Sequence, residues 1–265
     1  MNWIRSRRVY VDGHFAEKVV GFQDGIIRAI LDVPTFERDF PGVSVRDFGD
    51  LAIVPGFVDI HTHGEVGIDG NGATADDFAR LDRFYASRGV TSWLSSILTD
   101  TKEQTMAVIR EAGQFKEMHP ESGYAGIHLE GPFLSAAYKG AMPEHLLRKG
   151  DAELVRTYQE AAGGLIRYMT VSPEVEGVCE MIPQMKDLDI AVAIGHSGAD
   201  YETAMKSIEA GAVSATHTMN AMRLWHQHDP GIHGAALESD IYCEAICDGR
   251  HLHPGNVRLL LQIKG

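Results

Sequence analysis

From Leu51 onward the chain repeats one pattern: a short apolar run, a polar turn, then a stretch with apolar residues at helical spacing. Strict alternation of strand and helix leaves few arrangements, because each strand must lie parallel to its predecessor while the helices cover the sheet. Apolar runs predict strands near 53–61, 90–97, 124–130, 166–172, 190–196, 212–217 and 241–248, seven in all. Thr74 with Asp77 reads as a capping-box start for a helix closed by Gly89, and Thr101 with Gln104 starts the next. Further helices are expected over 151–162, 175–188 and 200–210, the last ended by Gly211. The connections 131–150 and 218–238 are longer than ordinary βα loops, which points to a functional role.

Residues 1–52 follow a different rule. Runs rich in Val and Ile are separated by Asp12-Gly13 and Asp24-Gly25, both hairpin signals, so this part is expected to be a small β unit, with a Pro and Gly stretch through Pro41 and Gly42.

Repeated βα units suit either a doubly wound sheet or a (β/α)8 barrel. Ligand-type side chains close at least four strands: His61 and His63, Glu130, His196 and His217. A barrel assembles its site from many strand ends at one face, whereas a doubly wound sheet gathers its ligand at one switch point, usually behind a Gly-rich turn. No GxGxxG follows any strand. The expected fold is therefore α/β, a TIM-like (β/α)8 barrel occupying 53–265 with seven of its strands present and the last lacking, beside the amino-terminal part, 1–52, of a small β-sandwich domain.

Charge narrows the function. With 24 basic and 37 acidic side chains the formal net charge is -13, and no basic run offsets it, so nucleic acid and anionic membrane surfaces are poor partners. No apolar stretch is long enough to span a bilayer, and the first residues carry no export signal. The cysteines Cys179, Cys243 and Cys247, an odd count without CxxC, read as buried thiols in a reducing cytoplasm.

Thirteen histidines point to an enzyme. In PGFVDIHTHG, His61 and His63 stand two apart on a strand, so both imidazoles share a face and suit a divalent metal such as zinc. An HxH alone is as often a surface turn. Glu130, however, ends the apolar strand YAGIHLE, and an ionised carboxylate there needs a cation or several donors. His196 ends IAVAIGH and His217 ends AVSATH. Five such residues at four strand ends favour a metal site over five separate hydrogen-bonded core residues.

The segments PGFVDIHTHG, HLEGPFLS, KGAM, GHSGAD, THTMNAM, DPGIHGA and CDGRHLHP, in this order over nearly the whole chain, resemble the N-acetylglucosamine-6-phosphate deacetylases of the amidohydrolase superfamily. The resemblance implies metal-dependent hydrolysis of the N-acetyl group of N-acetylglucosamine 6-phosphate. Glu130, His196 and His217 would bind a principal metal, zinc or iron, and His61 and His63 a second. Substrate contacts would come from the backbone of Ala141 and from Asn220, Ala221, His228 and His251, with the 218–238 loop reaching a neighbouring subunit's site in a homodimer. His226, His228, His233, His251 and His253 can donate hydrogen bonds to a phosphate, which agrees with that assignment. Members generally carry a polar residue where Met142 stands, and they place the proton-transferring aspartate at the end of an eighth strand, expected beyond Gly265. Two readings compete with this one: an amidohydrolase acting on a cyclic amide or nucleobase, and a non-catalytic fragment that binds metal or sugar phosphate.

Overall fold

The computed structural model describes residues 1–265, which fall into two compact units, Met1–Phe57 and Val58–Gly265. In the first, β1 (Asn2–Val11), β2 (His14–Gln23) and β3 (Ile26–Leu31) form an antiparallel meander. Asp12-Gly13 and Asp24-Gly25 make its turns with positive φ at all four residues, the backbone that two-residue hairpins require. A helix α1 (Val33–Asp39) follows where a Pro and Gly loop was expected. Pro34 lies in its first turn, where a missing N–H costs nothing, and Phe36 packs its ring 4.8 Å from that of Trp3. The short strands β4 (Arg46–Asp47) and β5 (Ala52–Ile53) both add in parallel to β1. In these residues the unit is one mixed sheet backed by a helix, and the pairing of β5 moves its boundary past residue 52.

The second unit alternates as expected. Its elements are β6 (Phe57–Thr62), α2 (Ala75–Ser87), β7 (Val90–Leu98), α3 (Lys102–Met118), β8 (Tyr124–Glu130), α4 (Ala152–Ala161) and β9 (Ile166–Val171). They continue with α5 (Val178–Asp187), β10 (Ala191–Ile194), α6 (Tyr201–Ala210), β11 (Ser214–Ala215), α7 (Gly231–Glu238), β12 (Tyr242–Cys243) and α8 (Pro254–Lys264). The seven strands stand in the sheet in chain order, β6 to β12, and the pairings from β7 to β12 are parallel. The sheet curls as a (β/α) barrel does: His61 at the end of β6 and Glu244 just past β12, on opposite edge strands, meet at 2.8 Å.

Local sequence explains the helices. Thr74 and Asp77 form the capping box, each side chain bonded to the other's backbone N–H, and Thr101 Oγ1 accepts from the N–H of Gln104. On α2, Phe78, Leu81 and Tyr85 share the stripe that faces the sheet and are buried. Phe78 meets Tyr124 at 5.5 Å between ring centroids and Trp93 meets Tyr124 at 4.8 Å. Burying one such side chain is worth about 2–3 kcal/mol.

Three expectations change. Strands β10, β11 and β12 are shorter than their apolar runs, because the chain leaves the sheet before the residues that close it. The 218–238 connection is not all loop, since GIHGAALE forms α7: its small residues give weak propensity, but the helix packs on α6 and buries six of its residues. Of the three cysteines only Cys179 is buried, while Cys247 is exposed. On α8, Leu260 is buried and Leu259, Leu261 and Ile263 are exposed.

Candidate metal centre

Glu130 and four histidines converge at the carboxyl ends of the strands. Glu130 Oε1 lies 3.0 Å from His196 Nε2 and 3.2 Å from His217 Nε2, and its Oε2 lies 3.2 Å from His63 Nε2. His61 Nε2 is 3.7 Å from Oε1 and 3.2 Å from His63 Nε2. The group therefore resolves into two clusters, His61 with His63 and Glu130, and His196 with His217 and Glu130. One carboxylate serves both. Glu130, His196 and His217 are buried.

The backbone builds this arrangement. β8 carries Glu130 to its last position, and Gly131 turns away with φ 90°. Directly after β10 and β11, His196 and His217 take φ of 48° and 30°, left-handed conformations that cost a non-glycine residue about 1–3 kcal/mol. Extended backbone would alternate their side chains away from the centre; the reversal brings both rings inward.

Hydrogen bonds set the tautomers. His196 Nδ1 donates to the carbonyl oxygen of Tyr138, 2.8 Å away, and His61 Nδ1 donates to Glu244 Oε2 at 2.8 Å. In the neutral imidazoles Nε2 is then a lone pair, and both Nε2 atoms face Glu130. Lone pairs facing a carboxylate, and facing each other at 3.0 Å between His196 and His217, repel unless positive charge sits among them. The titration behaviour shows how strongly this group of side chains attracts positive charge. Burial alone would push the Glu130 carboxyl up, yet the imidazoles of His196, His217, His61 and His63 hold it far below the ordinary carboxylate range. Burial opposes a charge on His61, but the carboxylates of Glu130 and Glu244 outweigh it and raise the imidazole to about 10. A set of imidazole nitrogens around a shared carboxylate fits a divalent transition metal such as zinc or iron.

Under this layer the interior is polar. Fully buried His128 hydrogen-bonds through Nδ1 to Ser96 Oγ at 2.8 Å and through Nε2 to Thr170 Oγ1 at 2.9 Å, and Thr170 continues to Thr216 Oγ1 at 2.8 Å. Burial, with the neighbouring His61 charge, lowers His128 to about 3, so it stays neutral. Both its nitrogens are occupied.

The remaining candidates stand apart. Ala141 is exposed beside buried Met142, and the Asn220 amide donates to the His217 carbonyl oxygen at 3.2 Å. Ala221, with φ 49°, accepts at its carbonyl oxygen from the Ser197 N–H at 3.0 Å. His228 and His251 are exposed and bond to none of the five; His251 Nδ1 donates to Asp248 Oδ2 at 2.8 Å. His233, grouped by sequence with the phosphate-facing histidines, is instead buried in α7, with no hydrogen-bond partner at either ring nitrogen.

Sequence reading missed Glu244. Its Oε1 accepts from Tyr168 Oη at 2.5 Å, and its Oε2 accepts from His61 Nδ1 and, at 3.2 Å, from the His217 backbone N–H. The only signal was an acidic residue interrupting the apolar run IYCEAIC.

Residues 52–264 match the amidohydrolase family. Among curated proteins the chain is 35% identical over 253 residues to the N-acetylglucosamine-6-phosphate deacetylase of Bacillus subtilis (strain 168), covering 93% of this chain and 63% of that protein. It is 29% identical to the N-acetylgalactosamine-6-phosphate deacetylase of Escherichia coli O157:H7, covering 97% and 67%. The crystal structure of N-acetyl-D-glucosamine-6-phosphate deacetylase from Mycobacterium smegmatis superposes with a TM-score of 0.90 at 29% identity, covering all of this chain and 68% of that one. The chain thus spans about 63% of the length of the first of these relatives. With a matching fold and a matching sequence over the whole barrel unit, the chain belongs to the amidohydrolase family.

Proposed function

We propose that this chain carries the metal-binding part of a deacetylase that hydrolyses the N-acetyl group of an N-acetylated amino-sugar phosphate, N-acetylglucosamine 6-phosphate first among them, giving acetate and the free amino-sugar phosphate. One observation carries the reading: two histidine pairs share the carboxylate of Glu130 at the strand ends. Similarity to deacetylases of two epimeric sugar phosphates supports the substrate class.

Glu130, His196 and His217 would hold one divalent ion, and Glu130 with His61 and His63 a second. A divalent cation bound there supplies Lewis acidity, which polarises an amide carbonyl and makes water acidic enough to attack near neutral pH. The protein's own groups do the rest. Tyr138 and Glu244 hold the protons of His196 and His61 at Nδ1, which keeps Nε2 free for binding. Asn220, the Ala221 segment and the backbone at Ala141 would orient the sugar, and His228 and His251 would donate to its phosphate. Buried Met142 has no side-chain hydrogen bond to offer a substrate carbonyl. The leaving amine needs a proton, a task the resemblance assigns to an aspartate.

The same reading makes the active protein a cytoplasmic homodimer. Leu224 and Trp225, 83% and 57% exposed in the 218–238 segment, support a covering partner. No helix is long and apolar enough to cross a membrane.

The test is acetate release from N-acetylglucosamine 6-phosphate and from its galacto epimer, using protein loaded with zinc or iron. Acetate from either establishes the activity and picks the epimer. Sugar phosphate bound without acetate release would instead identify a non-catalytic binding protein, and hydrolysis of a cyclic amide alone would move the chain to another amidohydrolase reaction.

A further inference from the structure

The two clusters around Glu130 do not have equal support. His196 is held by the backbone oxygen of Tyr138, a group that cannot be lost by substitution. His61 depends on a side chain, Glu244, which arrives from the opposite edge strand. That carboxylate is nearly enclosed, 14% exposed, and all three of its partners donate to it: His61 Nδ1 at 2.8 Å, Tyr168 Oη at 2.5 Å and the His217 backbone N–H at 3.2 Å. It is fixed in turn by its own backbone, the N–H donating to Ala215 O at 3.0 Å and the carbonyl accepting from Thr218 N–H at 2.9 Å. Tyr168 stands on β9, Glu244 follows β12, and His61 ends β6, so three separate strands lock one imidazole.

Resting on the reading of two ion sites, we propose that Glu244, oriented by Tyr168, is the positioning residue that determines whether the His61 and His63 side of the centre holds its metal. Without the carboxylate, His61 Nδ1–H loses its acceptor. The ring is then free to exchange tautomers and to rotate, and either change withdraws Nε2 from the cluster. The His196 and His217 side keeps the bond from His196 Nδ1 to Tyr138 and loses only the longer one from the His217 backbone N–H. A carboxylate behind a ligating histidine typically contributes about 10- to 100-fold to metal affinity. Here that contribution would fall on one of two adjacent sites, which makes it separable.

The experiment compares full-length wild type with Glu244→Ala, Glu244→Gln, Tyr168→Phe and His61→Ala. Metal per subunit is measured by elemental analysis after dialysis against a graded series of chelator concentrations, and the cobalt-substituted forms are compared by visible absorption. The expected result is two ions in wild type and one in His61→Ala. Glu244→Ala should lose one ion at roughly 10- to 100-fold less chelator than wild type and hold the other with a much smaller change, since only the 3.2 Å bond from the His217 N–H is lost there. Glu244→Gln, whose amide oxygen still accepts from Nδ1, should recover part of the loss, and Tyr168→Phe should show a smaller loss in the same direction. The retained ion reports that the barrel is folded. If Glu244→Ala and Tyr168→Phe release both ions as wild type does while His61→Ala loses one, the positioning role is wrong and the two-ion reading survives. A wild type that binds one ion, unaffected by His61→Ala, overturns both.

Discussion

The Nδ1 of His196 points at the carbonyl oxygen of Tyr138 from 2.8 Å, so a loop residue between β8 and α4 dictates how a histidine beyond β10 presents its other nitrogen. His196 and His217 are therefore expected to be required for the first ion. Replacing either with Ala should remove about one equivalent of metal and lower turnover by about 10²-fold or more, since several kcal/mol of transition-state stabilisation are withdrawn. Elemental analysis of both purified variants checks this; unchanged stoichiometry would refute it.

His63 tests the second ion. Its Nε2 lies 3.2 Å from Glu130 Oε2, on the side away from His196. His63→Ala should retain one equivalent, and calorimetric titration of the metal-free protein should saturate near one where wild type saturates near two. Full turnover by this variant would show the second site to be dispensable.

Asp248 gives an expectation in acid. Its carboxylate accepts from the N–H groups of His251 at 2.9 Å and Arg250 at 2.8 Å and from His251 Nδ1, which together lower it to about 2. The folded value is thus below the unfolded one, near 3.9. The stabilisation is present above about 4 and is lost as pH falls from there through about 2. Urea midpoints measured at pH 4 and pH 2 should differ less in Asp248→Asn than in wild type; an equal difference would count against the turn.

Gly131 carries a stability expectation. Its φ is 90°, and a Cβ there would come 2.2 Å from Thr99 Oγ1 and 3.0 Å from Leu134 Cδ1. Gly131→Ala forces a strained backbone into an occupied space, so a loss of about 2 kcal/mol or more is expected, with metal uptake weakened because Glu130 is adjacent. Thermal denaturation with and without metal measures it.

The sequence made the βα rhythm, the capping residues and the five clustered side chains legible, because each rests on local chemistry: Thr74 with Asp77, or a histidine closing an apolar run. It did not make Glu244 legible. Its partner His61 lies 183 residues away, and β12 has only two residues, too few for alternation to mark which side chains face inward. Helix α7 was hidden for a different reason. Gly231 and Gly234 lower its propensity, and only packing against α6 makes the segment helical. His233 was misplaced with it, since a histidine in a loop and one buried in a helix look the same in a string of letters.

The chemically equipped side chains, His61, His63, Glu130, His196, His217 and Glu244, all stand where strands end. The turns that return the chain to strand beginnings, at Gly89, at Gly163 and Gly164, at Asp189 and at Gly211, contain left-handed backbone and contribute none of them. Change can accumulate on the two rims independently. Insertions or stabilising replacements at the returning turns leave the histidine and carboxylate cluster untouched, while the opposite rim can change without rewriting the scaffold beneath it.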